Sequence, residues 1–296
     1  MRFFTMMLLA GIVAFASGCA YTQMGKANDL LDDNRVADAI PHLQKAVDDG
    51  SKAAAIELAF IYLCDCTVPE NLAKAREYYH RAQTMAPQPY DQYLDYFMPQ
   101  VKARLMLADD NPDNDVAATT ILRGDRYKDD PPNLDILALC YATGQGVQRN
   151  TGIAKLLFER AISSEPMWGS HHMAVFDYAW WLAVSADADF RDGPRALSLV
   201  KGESIDKDDP WRTEKLDTVA AVYAANDQFH TAVQIEEKAL SQLRHDIAQH
   251  RDVAWKLRYY ENRLKAYRAG RPWHFRKDQP ISGPHMIAAS GDHQAA

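Results

Sequence analysis

One helical pattern occurs twice in the sequence at a constant spacing, and this repeat constrains the fold more than any other feature. Each residue of the second copy lies 79 positions after its counterpart, as Tyr141 does after Tyr62. Small, apolar or aromatic residues and a closing proline occupy the shared positions. They are Leu58, Ala59, Tyr62, Ala75, Tyr79, Ala82 and Pro87 in the first copy, and Leu137, Ala138, Tyr141, Ala154, Phe158, Ala161 and Pro166 in the second. Such self-similarity is typical of folds built from stacked repeats.

The apolar residues of both copies recur every three or four positions, which is the period of one helix face. The same period continues before, between and after the copies, so the sequence predicts an all-α chain of helical hairpins. Alanine at the contact positions lets neighbouring helices approach closely. The predicted units are about 27–50, 52–87, 90–124, 133–166, 168–203 and 212–242, followed by a closing helix at 247–270 and a flexible tail at 273–296.

The two copies resemble the tetratricopeptide repeat, in which Leu-Ala-x-x-Tyr is followed by a second helix with spaced alanines. Thirteen residues separate Tyr141 from Ala154, where the plain repeat has nine. The longer turn and its glycines, Gly144 and Gly146, are similar to the connecting loop of the Sel1-like variant. The first copy has Cys64-Asp65-Cys66 in place of those glycines. This resemblance implies a right-handed α-solenoid of tetratricopeptide and Sel1-like hairpins.

A later unit resembles the plain tetratricopeptide repeat. Its tyrosine and the following alanine are nine residues apart, and the pattern runs on to a closing helix that ends near Pro272. The matching positions are Ala220, Tyr223, Ala232 and Ala239. In this family such positions specify helix packing, and they imply no chemistry.

The N-terminal segment has the pattern of a targeting signal. Residues 3–15 are almost entirely apolar, and Ala16-Ser17-Gly18-Cys19 follows. These residues resemble the lipobox of bacterial lipoproteins, which implies a signal peptide at 1–18, lipidation of Cys19 and a short tether at 19–26. Because Ala20 and not aspartate follows the cysteine, the resemblance favours the periplasmic face of the outer membrane. The alternative is an ordinary secretory signal that ends near a cysteine.

The sequence predicts a binding protein and no enzyme. The formal net charge is −7 and no basic run appears, so nucleic-acid binding is not expected. No nucleophile motif or cofactor motif was found, and no cofactor or metal is predicted. The resemblance implies a lipid-anchored envelope adaptor that binds other envelope proteins. These partners would belong to a secretion, polysaccharide-export or cell-wall assembly, and the sequence does not identify them. Trp180 and Trp181 are candidate binding anchors, with packing in the core as the alternative.

The cysteines suggest a second function. Cys64 and Cys66, with His80 nearby, would be the ligands or thiols of an envelope thiol- or metal-dependent protein. A single Cys-x-Cys lacks the second half of a zinc site, and the pair also allows a local disulfide. Cys140 lies beside Tyr141 and is predicted to be a small core residue.

Overall fold

The structure, a computed structural model, has helices as its only regular secondary structure in the residues that it describes, and the predicted all-α hairpin fold is confirmed. The described residues are 18–33, 35–64, 68, 71–86, 94–109, 111–124, 130–163, 171–207, 209, 211–249 and 254–275. In this part of the chain there is no strand, and no helix is both long and apolar enough to cross a membrane. The helices are α1 Gly18–Asp32, α2 Val36–Asp48, α3 Lys52–Cys64, α4 Leu72–Thr84, α5 Leu94–Leu107, α6 Pro112–Leu122, α7 Pro131–Thr143, α8 Thr151–Ser163, α9 His171–Val184, α10 Gly193–Val200, α11 Arg212–Ala225, α12 Phe229–Ala248 and α13 Lys256–Arg268.

The chain forms two compact units. The first unit contains the residues up to 125 together with 145–147, and therefore helices α1 to α6. The second contains residues 126–144 and 148–284, and therefore helices α7 to α13. Within each unit, contacts are densest between successive helices, namely α1 with α2, α3 with α4, α5 with α6, α7 with α8, α11 with α12, and α12 with α13.

One backbone hydrogen bond closes the loop of each repeated hairpin. The residue that precedes the second helix donates its N–H to a carbonyl near the end of the first helix. The bonds are Arg35 to Leu30 at 2.8 Å, Asn71 to Tyr62 at 2.9 Å, Asn150 to Tyr141 at 2.8 Å, Asp192 to Leu182 at 2.9 Å and Gln228 to Tyr223 at 3.0 Å. The two copies thus close their loops at equivalent residues, although the loop sequences differ.

The first unit has one continuous apolar core that runs from α1 to α5. Fully buried alanines, such as Ala59 and Ala82, lie where the helices contact each other. Tyr62 stacks on Tyr78 with ring centroids 6.0 Å apart. Complete burial of small side chains at the contacts allows the close packing that the repeat pattern predicts.

Helix bounds differ from the predictions at both ends of the repeat region. Residues 19–26, predicted as a tether, belong to α1, because Met24 and Ala27 are buried and extend its apolar face. The predicted closing helix at 247–270 begins only at Lys256, since Leu243 and Ile247 continue the apolar face of α12.

Candidate functional site

An open groove of about 600 Å³ lies between α12 and α13 in the second unit. Its floor is apolar and consists of Leu240 and Leu264, both almost fully buried. Ion pairs cross the groove at each end. Arg244 lies 2.9 Å from Glu261, and Arg268 lies 2.7 Å from Glu237.

The groove has one cation more than its two ion pairs need. Glu237 and Arg244 are seven residues apart on α12, which places the two ion pairs about 10 Å apart along the groove. Lys265 lies between them on α13, is exposed, and has no ion pair in the described part of the chain. Because side chains of both ion pairs are about half exposed, each pair contributes little to stability, about 0–1 kcal/mol. The groove therefore offers one unpaired ammonium group over an apolar floor.

Below the groove lies a buried cluster of three ionisable residues, which are Asp217 on α11, Glu236 on α12 and Arg263 on α13. Arg263 Nε donates to Asp217 Oδ1 at 2.6 Å and lies 3.8 Å from Glu236 Oε1, and all three side chains are at most 4% exposed. The guanidinium also lies over the rings of Tyr260 and Trp180, 4.6 Å and 5.3 Å from their centroids. A second buried pair, Lys256 Nζ to Glu214 Oε1 at 2.7 Å, joins α13 to α11 one turn or more away.

The cluster holds a proton on Glu236. No donor among the described residues reaches either oxygen of its carboxyl group or Asp217 Oδ2. Burial, and then the negative charge of Asp217, raise the pKa of Glu236 well above its ordinary value of 4.5. Burial also raises the pKa of Asp217, although the positive charge of Arg263 opposes that increase. With Glu236 protonated and with Asp217 and Arg263 charged, the cluster is neutral.

Sequence reasoning did not find this cluster, although a signal for it was present. Glu236 lies four residues after Ala232 and three before Ala239, both of which were predicted at helix contacts. A helix places these three positions on one face, so burial of Glu236 follows from the repeat pattern itself. The pattern alone does not place Asp217 and Arg263 beside Glu236, because each lies on a different helix.

The two candidate anchors, Trp180 and Trp181, are buried in the second unit, with 2% and 4% of their surface exposed. The chain's own Trp273 and Phe275 cover them. Trp180 contacts Trp273 at 6.1 Å between centroids, and Trp181 contacts Phe275 at 5.7 Å. Residues 273–275, predicted to begin a flexible tail, are therefore packed. The Phe275 N–H also donates to the carbonyl of Val184 at 2.8 Å.

Most of the predicted repeat positions lie in the helix contacts. Pro87 and Pro166 lie outside the described residues. Tyr79, Tyr141 and Tyr223 are half-buried. The fully or almost fully buried positions are Leu58, Ala59, Tyr62, Ala75, Ala82, Leu137, Ala138, Ala154, Phe158, Ala161, Ala220, Ala232 and Ala239. Phe158 fills its place by stacking on Tyr178, with centroids 4.8 Å apart.

Both loop glycines adopt backbone conformations that favour glycine. Gly144 has a φ of 91° and Gly146 a φ of 65°. A Cβ atom at Gly146 would lie 2.2 Å from the carbonyl oxygen of Asp115. Next to it, the Gln145 amide donates to the carbonyl of Leu107 and to Asp115, at 2.7 and 2.9 Å. The loop is thus held by specific contacts within the first unit.

The residues proposed for thiol or metal chemistry lie largely outside the described structure. Cys66 and the loop around it lie outside the described residues, as does the side chain of Cys64. His80 is exposed on α4, and Cys140 is 2% exposed and forms no disulfide within the described ranges. In those ranges no three His, Cys, Asp or Glu side chains are placed to hold a metal ion.

Comparisons with known proteins give limited information. No protein-family model matches the chain, and no curated protein matches it. Among solved structures, the crystal structure of a Sel1 repeat protein from Oxalobacter formigenes is similar at 14% identity, over 81% of this chain and 88% of that chain. The TM-score is 0.29, which is too low to assign the chain to that protein's family.

Proposed function

We propose that this chain is a non-catalytic scaffold that binds a protein partner in the groove between α12 and α13, and that a lipid on Cys19 holds it at the bacterial envelope. The observation that supports binding is Lys265, an exposed cation over an apolar floor between two ion pairs. This chemistry fits a partner segment that carries a carboxylate beside an apolar side chain. The lipobox resemblance supports the envelope location.

The groove favours recognition over catalysis. Its polar groups are surface charges, about half exposed, whose interactions are screened by water and dissolved salt. The titratable cluster with displaced pKa values, Glu236 and Arg263, lies on the buried side of the same helices, where no substrate has access. The partner is a secretion, polysaccharide-export or cell-wall component, as the lipoprotein resemblance implies.

Site-specific photocrosslinking in cells tests the groove. Ser241 is exposed, and it lies four residues after Glu237 and three before Arg244, so it is on the groove side of α12. A photoreactive residue at position 241 leaves every charge of the groove in place. We expect it to give a defined adduct, whereas the same residue at Gln83, exposed on α4 of the first unit, gives none.

The charge of Lys265 supplies the matched comparison. Lys265→Glu is expected to reduce the adduct at position 241 at least five-fold, because it places a carboxylate where the partner's carboxylate binds. Lys265→Arg keeps the positive charge and is expected to retain the adduct. Equal adducts in both variants, or none at position 241 in the otherwise unchanged protein, would show that the groove is not the docking surface.

A further inference from the structure

The segment after α13 binds α9 in the manner of a short peptide. It covers Trp180 and Trp181, which we call the aromatic face of α9. We call residues 271–275 the strap. Trp273 and Phe275, two positions apart, both contact the ring of Trp180, with centroids at 6.1 and 6.3 Å. Phe275 also contacts Trp181 at 5.7 Å. The strap therefore presents two alternate side chains to one surface, as an extended peptide does.

A backbone hydrogen bond fixes the strap along α9. Val184 is the last residue of that helix, and its carbonyl is one of the four that have no partner within the helix. The N–H of Phe275 satisfies it at 2.8 Å. This bond does not depend on the identity of the donor residue, so any peptide that runs along the same path is able to make it.

The strap leaves one polar group of this surface unsatisfied. Trp180 is 2% exposed, and its indole N–H has no hydrogen-bond partner among the described residues. A buried donor without an acceptor costs free energy. A segment that brought an acceptor to this N–H, and kept the two aromatic contacts, would bind here better than the strap.

We infer that the aromatic face of α9 is a second protein-binding site, for a partner segment with two aromatic side chains two residues apart, and that the strap is its built-in competitor. The inference rests on the proposed function only in that the ligand is a protein. The two surfaces share no residue, so a failure here leaves the crosslinking result at position 241 unaffected.

A labelled peptide of the strap sequence, acetyl-Arg-Pro-Trp-His-Phe-amide, is the probe, and fluorescence anisotropy measures its binding to the full-length chain. Trp273→Ala/Phe275→Ala removes the competitor and keeps the surface of α9. We expect this double variant to bind the probe at least ten-fold more tightly than the unchanged protein, because a site that is mostly occupied has a lower apparent affinity. A probe with both aromatic residues replaced by alanine should not bind.

The matched control is Trp255→Ala/Tyr259→Ala, which removes a packed aromatic pair at the start of α13, 5.7 Å between centroids and away from the strap. It should bind the probe as weakly as the unchanged protein. If circular dichroism shows that the strap double variant is unfolded, Trp273→Ala alone is used, with the same expectation, since it keeps the Phe275 ring against Trp181. Equal probe affinity in the folded strap variant and the unchanged protein, or no probe binding by the strap variant, would overturn the inference.

Discussion

At the scale of single residues, the buried cluster of Asp217, Glu236 and Arg263 governs how the stability of the second unit depends on pH. The folded state binds a proton at Glu236 that the unfolded state releases at lower pH, because burial raises the pKa of Glu236 above 4.5. The stabilisation is complete below about pH 4.3, the pKa of an unfolded glutamate. It is lost as the pH rises through the folded-state pKa.

Glu236→Gln should remove this pH dependence. Glutamine is close in shape to the protonated acid and stays neutral at every pH. We expect the variant to gain stability relative to the unchanged protein by about 1 kcal/mol or more between pH 5 and pH 8, since one pH unit between folded and unfolded pKa corresponds to about 1.4 kcal/mol. Urea unfolding at several pH values measures the difference.

The adjacent residue provides the control for Glu236→Gln. Glu237→Gln changes the charge by the same amount, but Glu237 is half exposed and pairs with Arg268 at the groove. Its effect should stay within about 1 kcal/mol at all pH values. A stability difference between Glu236→Gln and the unchanged protein that does not vary with pH would show that Glu236 is ionised in the folded protein.

A second residue-scale prediction concerns Gly146. A Cβ atom there would lie 2.2 Å from the carbonyl oxygen of Asp115, and the φ of 65° disfavours other residues. Gly146→Ala should therefore destabilise the first unit by about 1–3 kcal/mol. Gly202→Ala is the matched control, because nothing lies within 4 Å of a Cβ atom at that position. Thermal unfolding followed by circular dichroism measures both variants, and an equal change in melting temperature would contradict the assigned loop contact.

At the scale of helices, the repeat pattern predicted which residues pack, and the loop-closing bonds explain why. Thirteen residues separate the tyrosine and alanine in the two longer repeats, and nine separate Tyr223 from Ala232. The structure closes the longer loops over nine residues, as from Tyr62 to Asn71, and the shorter loop over five, from Tyr223 to Gln228. The four-residue difference thus lies entirely in the turn, and the helix register stays the same.

The repeat pattern does not predict two other features of the structure. The strap was predicted as a loose tail because Trp273-His274-Phe275 has no helical period, and its order comes from contacts with Trp180 and Val184, far away in sequence. In the first copy Tyr78, not the repeat residue Tyr79, stacks on Tyr62. Either of the two adjacent tyrosines could occupy the position against Tyr62, and the repeat pattern does not determine which one packs there.

Helix packing gives the prediction at this scale. Ala82 and Ala161 are each 0% exposed at equivalent positions of the two copies. Ala82→Trp and Ala161→Trp should each lower the free energy of unfolding by about 1–3 kcal/mol, because the added bulk separates packed helices. Gln83→Trp adds the same side chain at an exposed position one residue along α4 and should change stability by about 0.5 kcal/mol or less. Chemical denaturation compares the three, and wild-type stability in both alanine variants would contradict the repeat assignment.

At the scale of the whole molecule, the proposed function joins an anchor at one end of the sequence to binding surfaces near the other. Cys19 lies at the start of α1, whereas Lys265 and Trp180 belong to the second unit. A lipid anchor would raise the concentration of these surfaces at the membrane, which strengthens weak binding to a membrane-bound partner without a new contact.

Cys19→Ser tests the anchor independently of the groove. Without the thiol no diacylglyceryl group is attached, so we expect the protein to move from the membrane fraction to the supernatant, with the helical content unchanged. Cys140→Ala removes a different cysteine, buried in α7, and should leave the protein in the membrane fraction. Because anchored and released proteins have the same groove, the adduct at position 241 should become weaker in Cys19→Ser, and raising the expression level should restore it. Retention of Cys19→Ser on carbonate-washed membranes would show that something other than this lipid holds the protein there.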